Sequence, residues 1–270
     1  MPAATWDPAQ YLRHAEHRTR PFADLLARVP ALPRDPARIA DLGCGPGNVT
    51  VQLAERWPAA HITGYDNSPE MLARTEEYAG PTSGGGRLDF AHADLTTWVP
   101  PQTYDLIVSN AALQWVPGHL GSFPAWLDAL APGGTFAFQV PHNIDAPLHA
   151  LLRELAATAR WKGRVEGVLR HEDSVHDPLV YLDRLARLGC REVDVWETAY
   201  LQVLAGEDPV LDWAKGTALR PVLTVLAEDP EARDAFVAEY RDLLRGAYPA
   251  QSYGTVLPFR RLFAVARKAG

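Results

Sequence analysis

The chain has 270 residues, of which 47% are hydrophobic and 22% charged, a composition typical of a globular protein with one substantial core and room for a further lobe. Its net charge of −7 disfavours a nucleic acid or an anionic membrane as a partner. Two cysteines without a CxxC pattern indicate neither a disulfide framework nor a metal site, and no signal-peptide pattern precedes them, so we expect a cytoplasmic protein.

Residues 1–30 contain a helical pattern that we interpret as an amino-terminal cap. From 31 to 142 the chain alternates strand-like segments (ARIADLG, HITGYD, RLDFAHADL, YDLIVSNAALQWV and GGTFAFQVP) with helical ones, among them NVTVQLAERWP and SPEMLARTEEYA. Strands separated by helices indicate βαβ units. We therefore predict an α/β fold with a doubly wound, mostly parallel sheet and helices on both faces.

Two further strand patterns, REVDVWETAYLQVL and VLPFRRLFAVARK, return to this sheet within 178–205 and 251–270 and bring it to seven strands. Helical blocks at 143–177 and 206–250 interrupt them. In open α/β sheets the ligand lies beyond the carboxyl ends of the strands, so we expect these insertions to form a lid there. The alternative, that these helices have only a structural role and contact no ligand, stays open.

The segment DLGCGPGN follows the first strand and suggests a nucleotide loop. Gly43, Gly45 and Gly47 are spaced G-x-G-x-G, whereas the dinucleotide fingerprint is G-x-G-x-x-G. Asp41 ends the strand, where its carboxylate would repel a diphosphate and attract an ammonium group. The charge therefore favours a cofactor that carries an amino acid.

Acidic residues end the next two strands as well. Asp66, in GYDNSPEM, is placed to bind both hydroxyls of a ribose, a role that NAD would also satisfy. Asp94 and Leu95, in AHADL, are placed to bind an adenine. Each aspartate alone is better explained as a cap or turn residue, but three at successive strand ends predict one binding site.

These residues resemble the class I S-adenosylmethionine-dependent methyltransferases, whose first motif is D/E-x-G-x-G-x-G, here DLGCGPG. The resemblance covers about residues 39–140 and implies a Rossmann-like methyltransferase fold with S-adenosylmethionine as cofactor. The residues that it implies for cofactor binding are Asp41, Gly43, Gly45 and Gly47 for the methionine portion, Asp66 for the ribose with Asn67 and Met71 in the same segment, Asp94 and Leu95 for the adenine, and Asn110 and Ala111 at the methionine end.

Most of the chain is also similar to a narrower family, the trans-aconitate 2-methyltransferases, which O-methylate a carboxylate of a small tricarboxylic acid. The similarity is carried by WDPAQYLRH, RTRPFADLLARVP, NAALQWVPGH, VLDWAKGTALRP and LPFRRLFAVAR. It implies trans-aconitate as the methyl acceptor.

Arginines are the predicted ligands of the substrate carboxylates, because a guanidinium matches a carboxylate with two parallel hydrogen bonds. On this acidic chain YLRHAEHRTR is locally basic, and we expect Arg18, Arg220 and Arg260 to bind the substrate. Neighbouring residues of a strand face opposite ways, so Arg260 and Arg261 cannot share one pocket, and the resemblance favours Arg260. For any single arginine, the alternative is a solvent-exposed surface residue that binds no ligand.

Uncharged side chains complete the predicted substrate site: Gln114, Trp115, Trp161, Tyr200 and Tyr253. Trp115 follows the fourth strand closely, near the expected sulfonium. A tryptophan in a helix is more often a core residue, and that alternative stays open for Trp161 and Trp213. His119 and His142 are alternative polar contacts, better explained by structural roles.

The predicted mechanism has no catalytic residue. A carboxylic acid with a pKa near about 4 is ionised at neutral pH, so its oxygen needs no general base to attack a methyl group. Alternatives are a methyltransferase for another small carboxylate, a carrier-bound malonyl group or a natural product, and a module that binds S-adenosylmethionine without turnover. A dehydrogenase is the weakest alternative, because it needs the other glycine spacing.

Overall fold

The computed structural model describes residues 15–165, 167–169 and 174–270, and of residues 15–18 the backbone alone. The chain forms two compact units. The sheet unit contains Glu16–Pro141, Asp173–Thr198 and Arg261–Gly270. The helical unit contains the described residues within Met1–Ala15, His142–Glu172 and Ala199–Arg260.

One sheet contains all strands of the described chain. They are β1 (Arg38–Leu42), β2 (His61–Asp66), β3 (Gly80–Pro81), β4 (Arg87–His92), β5 (Tyr104–Asn110), β6 (Leu130–Pro141), β7 (Cys190–Leu204), β8 (Ala250–Gln251) and β9 (Gly254–Lys268). The order is β3-β4-β2-β1-β5-β6-β9-β7, with β8 paired to β9. The predicted seven strands are present, and the short β3 and β8 were not predicted.

The pairing confirms the predicted mostly parallel, doubly wound sheet. β1 pairs in parallel with β2 and β5, β2 with β4, and β5 with β6, whereas β9 runs antiparallel to β6. The order runs outward from β1 in both directions, so it reverses between β1 and β5, where such sheets bind ligands. In β1 and β5 nearly every residue is buried, as expected for central parallel strands covered on both faces.

The helices of the sheet unit are α1 (Ala15–Ala27), α2 (Val51–Arg56), α3 (Pro69–Leu72), α4 (Phe123–Asp128) and α7 (Pro178–Arg187). The helix predicted over SPEMLARTEEYA is interrupted, because α3 is followed by a separate 3-10 turn at Thr75–Glu77. Thr75 Oγ1 donates to the Leu72 carbonyl at 2.8 Å, a local bond that competes with continued helix.

The helical unit contains α5 (Pro147–Ala157), α6 (Lys162–Val165), α8 (Pro209–Lys215), α9 (Arg220–Val225) and α10 (Pro230–Ala247). Its own core is built around large aromatic side chains, among them Trp161, Trp213, Phe236 and Tyr240. The Tyr240 hydroxyl donates to the Leu148 carbonyl and so joins α10 to α5. This unit therefore has a hydrophobic core separate from that of the sheet unit.

None of the helices that the structure describes is both long and apolar enough to cross a bilayer. The amino-terminal cap predicted for residues 1–30 lies partly outside the described residues.

Candidate functional site

The glycine loop after β1 has a backbone that requires glycine. Gly43, Gly45 and Gly47 have φ of 76°, 56° and 85°, a left-handed region that L side chains avoid. A Cβ on Gly43 would lie 2.2 Å from the Ala112 Cβ, and one on Gly47 2.8 Å from the Phe90 ring. The loop therefore packs against the segments after β5 and in β4 as closely as the backbone allows.

Asp41, at the end of β1, is a buried carboxylate with 3% of its surface exposed. Its Oδ2 accepts a hydrogen bond of 2.7 Å from Thr50 Oγ1, and no donor among the described residues reaches its Oδ1. Burial raises the pKa of Asp41 to about 7, against the hydrogen bond from Thr50, and the charge of Asp66 adds to the rise. A buried oxygen without a donor fits a cationic group such as an ammonium.

Asp66, at the end of β2, orders the glycine loop and keeps capacity for a ligand. Its Oδ2 accepts from the Gly45 amide and its Oδ1 from the Ser68 amide, each at 2.9 Å. An ionised carboxylate offers about four acceptor positions, so each oxygen retains one for a hydroxyl group. Of its predicted neighbours, Asn67 is exposed and Met71 is buried.

Asp94 and Leu95 follow β4. The Asp94 carboxylate is exposed, and bonds of 2.9 and 2.7 Å from the Thr96 amide and hydroxyl lower its pKa. Leu95 is 7% exposed, and its Cδ1 lies 3.9 Å from the Cβ position of Gly43. Leu95 therefore contributes an apolar surface against the glycine loop, with an ionised carboxylate next to it in sequence.

The segment after β5 is held in a strained conformation. Ala111 has a φ of 56°, and its amide donates to the Gln139 carbonyl at 2.9 Å. Gln114 is 6% exposed, and its Nε2 donates to the Ala111 carbonyl at 2.6 Å. Since that carbonyl only accepts, the remaining Gln114 oxygen is an acceptor, and it has no donor among the described residues.

Cys44, within the glycine loop, is not a nucleophile. It is buried, and burial together with the charges of Asp41 and Asp66 raises its pKa well above the ordinary value of a thiol. It therefore remains a neutral thiol at physiological pH. Within the described residues no group of three histidine, cysteine or acidic side chains is arranged to hold a metal ion.

The predicted cofactor residues follow four neighbouring strands of the sheet unit, in the spatial order β4, β2, β1 and β5. Parallel strands end at the same edge, so the structure brings Asp41, Asp66, Leu95 and Asn110 to one edge. Trp115, on the 3-10 turn Leu113–Trp115, is 41% exposed. This edge combines a glycine loop, carboxylates and no cationic side chain among the predicted residues, an arrangement suited to an adenosyl group with an ammonium.

The predicted substrate residues of the helical unit have unequal environments. Trp161 is 1% exposed, its Nε1 donates to Glu239 at 3.0 Å, and its ring packs edge-on against Phe236, so the structure places it as a core residue. Tyr200 is buried and Tyr253 is 67% exposed. The side chain of Arg18 lies outside the described residues.

Arg220 and Arg260 both lie in the helical unit. Arg220 lines a cavity of about 600 Å³ together with Lys215 and Arg233, which pair with acidic neighbours. The Arg260 guanidinium donates to the His142 carbonyl at 2.7 Å and to the Asp145 carboxylate at 2.9 and 3.1 Å. Both arginines are partly exposed.

Several residues that shape the site were not predicted. Thr50 orients Asp41 from beyond the glycine loop, and Gln139 and Arg261 support Asn110 from neighbouring strands. Thr50 and Gln139 belong to none of the quoted binding motifs, and Arg261 lies in LPFRRLFAVAR, where the resemblance favoured its neighbour Arg260. Each of the three acts through a tertiary contact. Strand alternation was the one available signal for Arg261, and it indicates only that Arg260 and Arg261 face opposite ways.

Comparisons with known proteins identify the family of the chain. The family model described as a methyltransferase domain matches residues 39–134. The chain is 71% identical over 271 residues to a trans-aconitate 2-methyltransferase of Streptomyces avermitilis, covering 99% of each chain. It is 48% identical over 264 residues to the protein of the same name from Rhodococcus jostii, covering 97% of this chain and 99% of that one.

Solved methyltransferases share the fold at low identity. Phosphoethanolamine N-methyltransferase 2 of Haemonchus contortus, in complex with S-adenosyl-L-methionine, aligns with a TM-score of 0.54 and 16% identity, over 93% of this chain and 53% of that one. A putative sarcosine dimethylglycine methyltransferase from Galdieria sulphuraria aligns with a TM-score of 0.55 and 18% identity, over 98% and 92%.

Proposed function

Because the chain belongs to the trans-aconitate 2-methyltransferase family of S-adenosylmethionine-dependent enzymes, we propose that it methylates a carboxylate of trans-aconitate. The observation that carries the proposal is 71% identity over 99% of both chains to a protein of that name. Identity of this extent includes the helical unit as well as the sheet, so the part of the chain expected to select the acceptor is included. We expect a cytoplasmic protein that acts on a small molecule.

The residues at the sheet edge fit S-adenosylmethionine, which supplies a methyl group on a sulfonium when bound. Asp41 offers a buried carboxylate oxygen that has no donor among the described residues, and this suits the ammonium of the methionine portion. Asp66 retains acceptor positions for the ribose hydroxyls, and Leu95 provides an apolar surface for the adenine. The glycine loop lets the backbone approach the ligand where a side chain would collide.

The proposed reaction requires that the protein position the reacting groups, and it requires no proton transfer. A substrate carboxylate is ionised at neutral pH, so no general base has to remove a proton from it. Alignment of the reacting groups and exclusion of water contribute roughly 7–11 kcal/mol in favourable cases. His119 is no candidate base, because it is 2% exposed with its ring nitrogens bonded to Val116 and Tyr181, and burial lowers its pKa to about 4.

Arginines are the proposed ligands of the substrate carboxylates that do not react. Arg220 lines a cavity together with Lys215 and Arg233, which are paired with Asp212 and Asp234. Arg260 already donates to a carboxylate, that of Asp145, through its Nη2. A guanidinium has five N–H donors, so it can donate to more than one carboxylate. Arg18 is the third member of this proposed set.

The proposal is tested by supplying the purified protein with S-adenosylmethionine and a panel of acceptors. The panel contains trans-aconitate, its cis isomer, citrate, a dicarboxylic acid and a malonyl thioester, and products are identified by mass spectrometry. We expect a monomethyl ester of trans-aconitate at the highest rate. Methylation of the malonyl thioester with none of trans-aconitate would refute the proposed acceptor and retain the methyl donor.

A further inference from the structure

A buried polar relay crosses three neighbouring strands of the sheet unit. Arg261 on β9 is 3% exposed, and its Nη1 donates to Gln139 Oε1 at 3.1 Å. Gln139 on β6 is fully buried, and its Nε2 donates to Asn110 Oδ1 at 2.5 Å. Asn110 and Gln139 are direct partners in the β5–β6 register, so the relay ends at the carboxyl end of β5.

The direction of this relay is fixed by its first member. Arginine has five N–H donors and no acceptor, so Gln139 has to present its oxygen to Arg261. The amide nitrogen of Gln139 is then directed at Asn110, which has to present its own oxygen. The NH2 group of Asn110 is therefore the end left for a ligand.

That NH2 group lies at the predicted cofactor edge. Asn110 is partly exposed, and within the part of the chain that the structure describes no acceptor is bonded to its Nδ2. The next residue, Ala111, is held by the Gln139 carbonyl, and Ala112 packs against Gly43 in the glycine loop. The donor is thus anchored beside the loop from both the side chain and the backbone of Gln139.

We propose that Arg261 and Gln139 are positioning residues that fix Asn110 as a hydrogen-bond donor, and that its NH2 group binds a carboxylate oxygen of a ligand. The inference rests on the proposed methyl transfer. Two ligands of that reaction carry a carboxylate, the methionine portion of the cofactor and the acceptor acid. Both require the same donor, and separate affinity measurements distinguish them.

The most specific test reverses the donor and acceptor roles between residue 139 and Asn110 while keeping both side chains in place. In Gln139→Glu the new carboxylate still pairs with Arg261 but only accepts, so Asn110 has to donate to it and turn its oxygen towards the ligand. We expect an unfolding midpoint close to that of the wild type. The dissociation constant of S-adenosylhomocysteine, or the KM for trans-aconitate, should rise about 10- to 100-fold, the effect of losing a hydrogen bond to a charged group.

Two substitutions of Arg261 provide matched controls. Arg261→Lys keeps a side chain that only donates, so it should retain affinity within about threefold of the wild type. Arg261→Met removes the donor and frees Gln139 to adopt either orientation, so its affinity should lie between those of the wild type and Gln139→Glu. This pair tests the proposal even where Gln139→Glu does not fold.

A double-mutant cycle separates positioning from packing. Because Gln139 acts through Asn110, Gln139→Glu should have no further effect on affinity in an Asn110→Ala background. A higher dissociation constant alone assigns the carboxylate to the cofactor, and a higher KM alone assigns it to the acceptor.

The outcomes separate this inference from the proposed function. Wild-type protein that binds no S-adenosylhomocysteine and forms no ester overturns the proposed function and this inference with it. Wild-type protein that does both, while Gln139→Glu keeps both constants within twofold, overturns the inference alone. Additive losses in the double mutant would likewise show that Gln139 has a structural role only.

Discussion

Replacing Asp41 with asparagine should increase the free energy of unfolding of the ligand-free protein and weaken cofactor binding. The Asp41 carboxylate is buried, only one of its oxygens has a donor among the described residues, and Asp66 is a nearby like charge. Asparagine has nearly the same shape and carries no charge, so it removes the cost of burying the ionised group. The same change removes the partner that we propose for the cofactor ammonium.

The size of the stability effect follows from the pKa. A rise from 3.8 to about 7 corresponds to a cost of about 4 kcal/mol for the ionised carboxylate in the folded state. The unfolded chain ionises above pH 3.8 and the folded protein only above about 7, so wild-type stability falls between these values and is flat above them. The advantage of Asp41→Asn should therefore grow from about 2 kcal/mol at pH 5 to about 4 kcal/mol at pH 8.

Denaturant unfolding at pH 5 and pH 8 measures this difference, and calorimetry with S-adenosylhomocysteine measures the binding effect. Wild-type affinity should decline below pH 7 as Asp41 takes up a proton. Asp41→Asn should bind about 10- to 100-fold more weakly at pH 8, without that decline.

Asp105→Asn is a matched control for this experiment. Asp105 is also fully buried in the sheet unit, but both of its oxygens accept hydrogen bonds, from Arg34 Nε and the Arg38 amide. Its substitution should destabilise the protein and leave affinity unchanged. A less stable Asp41→Asn at pH 8, or one with unaltered affinity, would refute the reasoning.

Four further predictions concern the ribose contact, the glycine loop, the substrate arginine and a buried histidine. Asp66→Ala should weaken S-adenosylhomocysteine binding in calorimetry while the circular dichroism spectrum stays unchanged, and an equal dissociation constant would move the ribose contact elsewhere. Gly43→Ala, whose Cβ would lie 2.2 Å from the Ala112 Cβ, should lower the unfolding midpoint more than Gly45→Ala, where no atom of the described residues lies within 4 Å of the new Cβ; equal effects would contradict the packing argument. Arg260→Ala should raise the steady-state KM for trans-aconitate more than that for the cofactor, whereas Asp145→Ala, which removes only its ion-pair partner, should not. Burial lowers the pKa of His119 from 6.5 to about 4, so protonation of His119 at low pH favours the unfolded chain. As the pH drops from 6.5 to 4, the free energy of unfolding of the wild type should therefore fall by about 3 kcal/mol more than that of His119→Gln. Parallel plots of unfolding free energy against pH for the two proteins would rule this out.

The sheet was predictable from the sequence because its signals are local. Buried strands carry apolar runs, such as residues 106–108 in β5, and the helical segments between β1, β2 and β4 indicate parallel pairing. The extent of the helix at SPEMLARTEEYA was wrong, because its Thr75 hydroxyl bonds a backbone carbonyl, a contact that a periodicity argument does not contain.

The candidate site was predictable only where a motif fixes the backbone. The glycine spacing places the loop, and strand ends place Asp41 and Asp66. The raised pKa of Asp41 was not predictable, since it depends on burial by the folded chain. Trp161 shows the limit for side chains. The sequence predicts a helix there and does not distinguish a tryptophan that binds a ligand from one that packs in a core, whereas in the structure Trp161 lies in the turn before α6 and packs against Phe236.

We expect this chain to make a carboxyl methyl ester. The most direct measurement incubates the protein with trans-aconitate and S-adenosylmethionine that carries an isotopically labelled methyl group, and then treats the purified product with mild base. We expect a labelled product that base hydrolyses, with release of labelled methanol and recovery of unlabelled trans-aconitate. A labelled product that resists hydrolysis, or no labelled product at all, would contradict it.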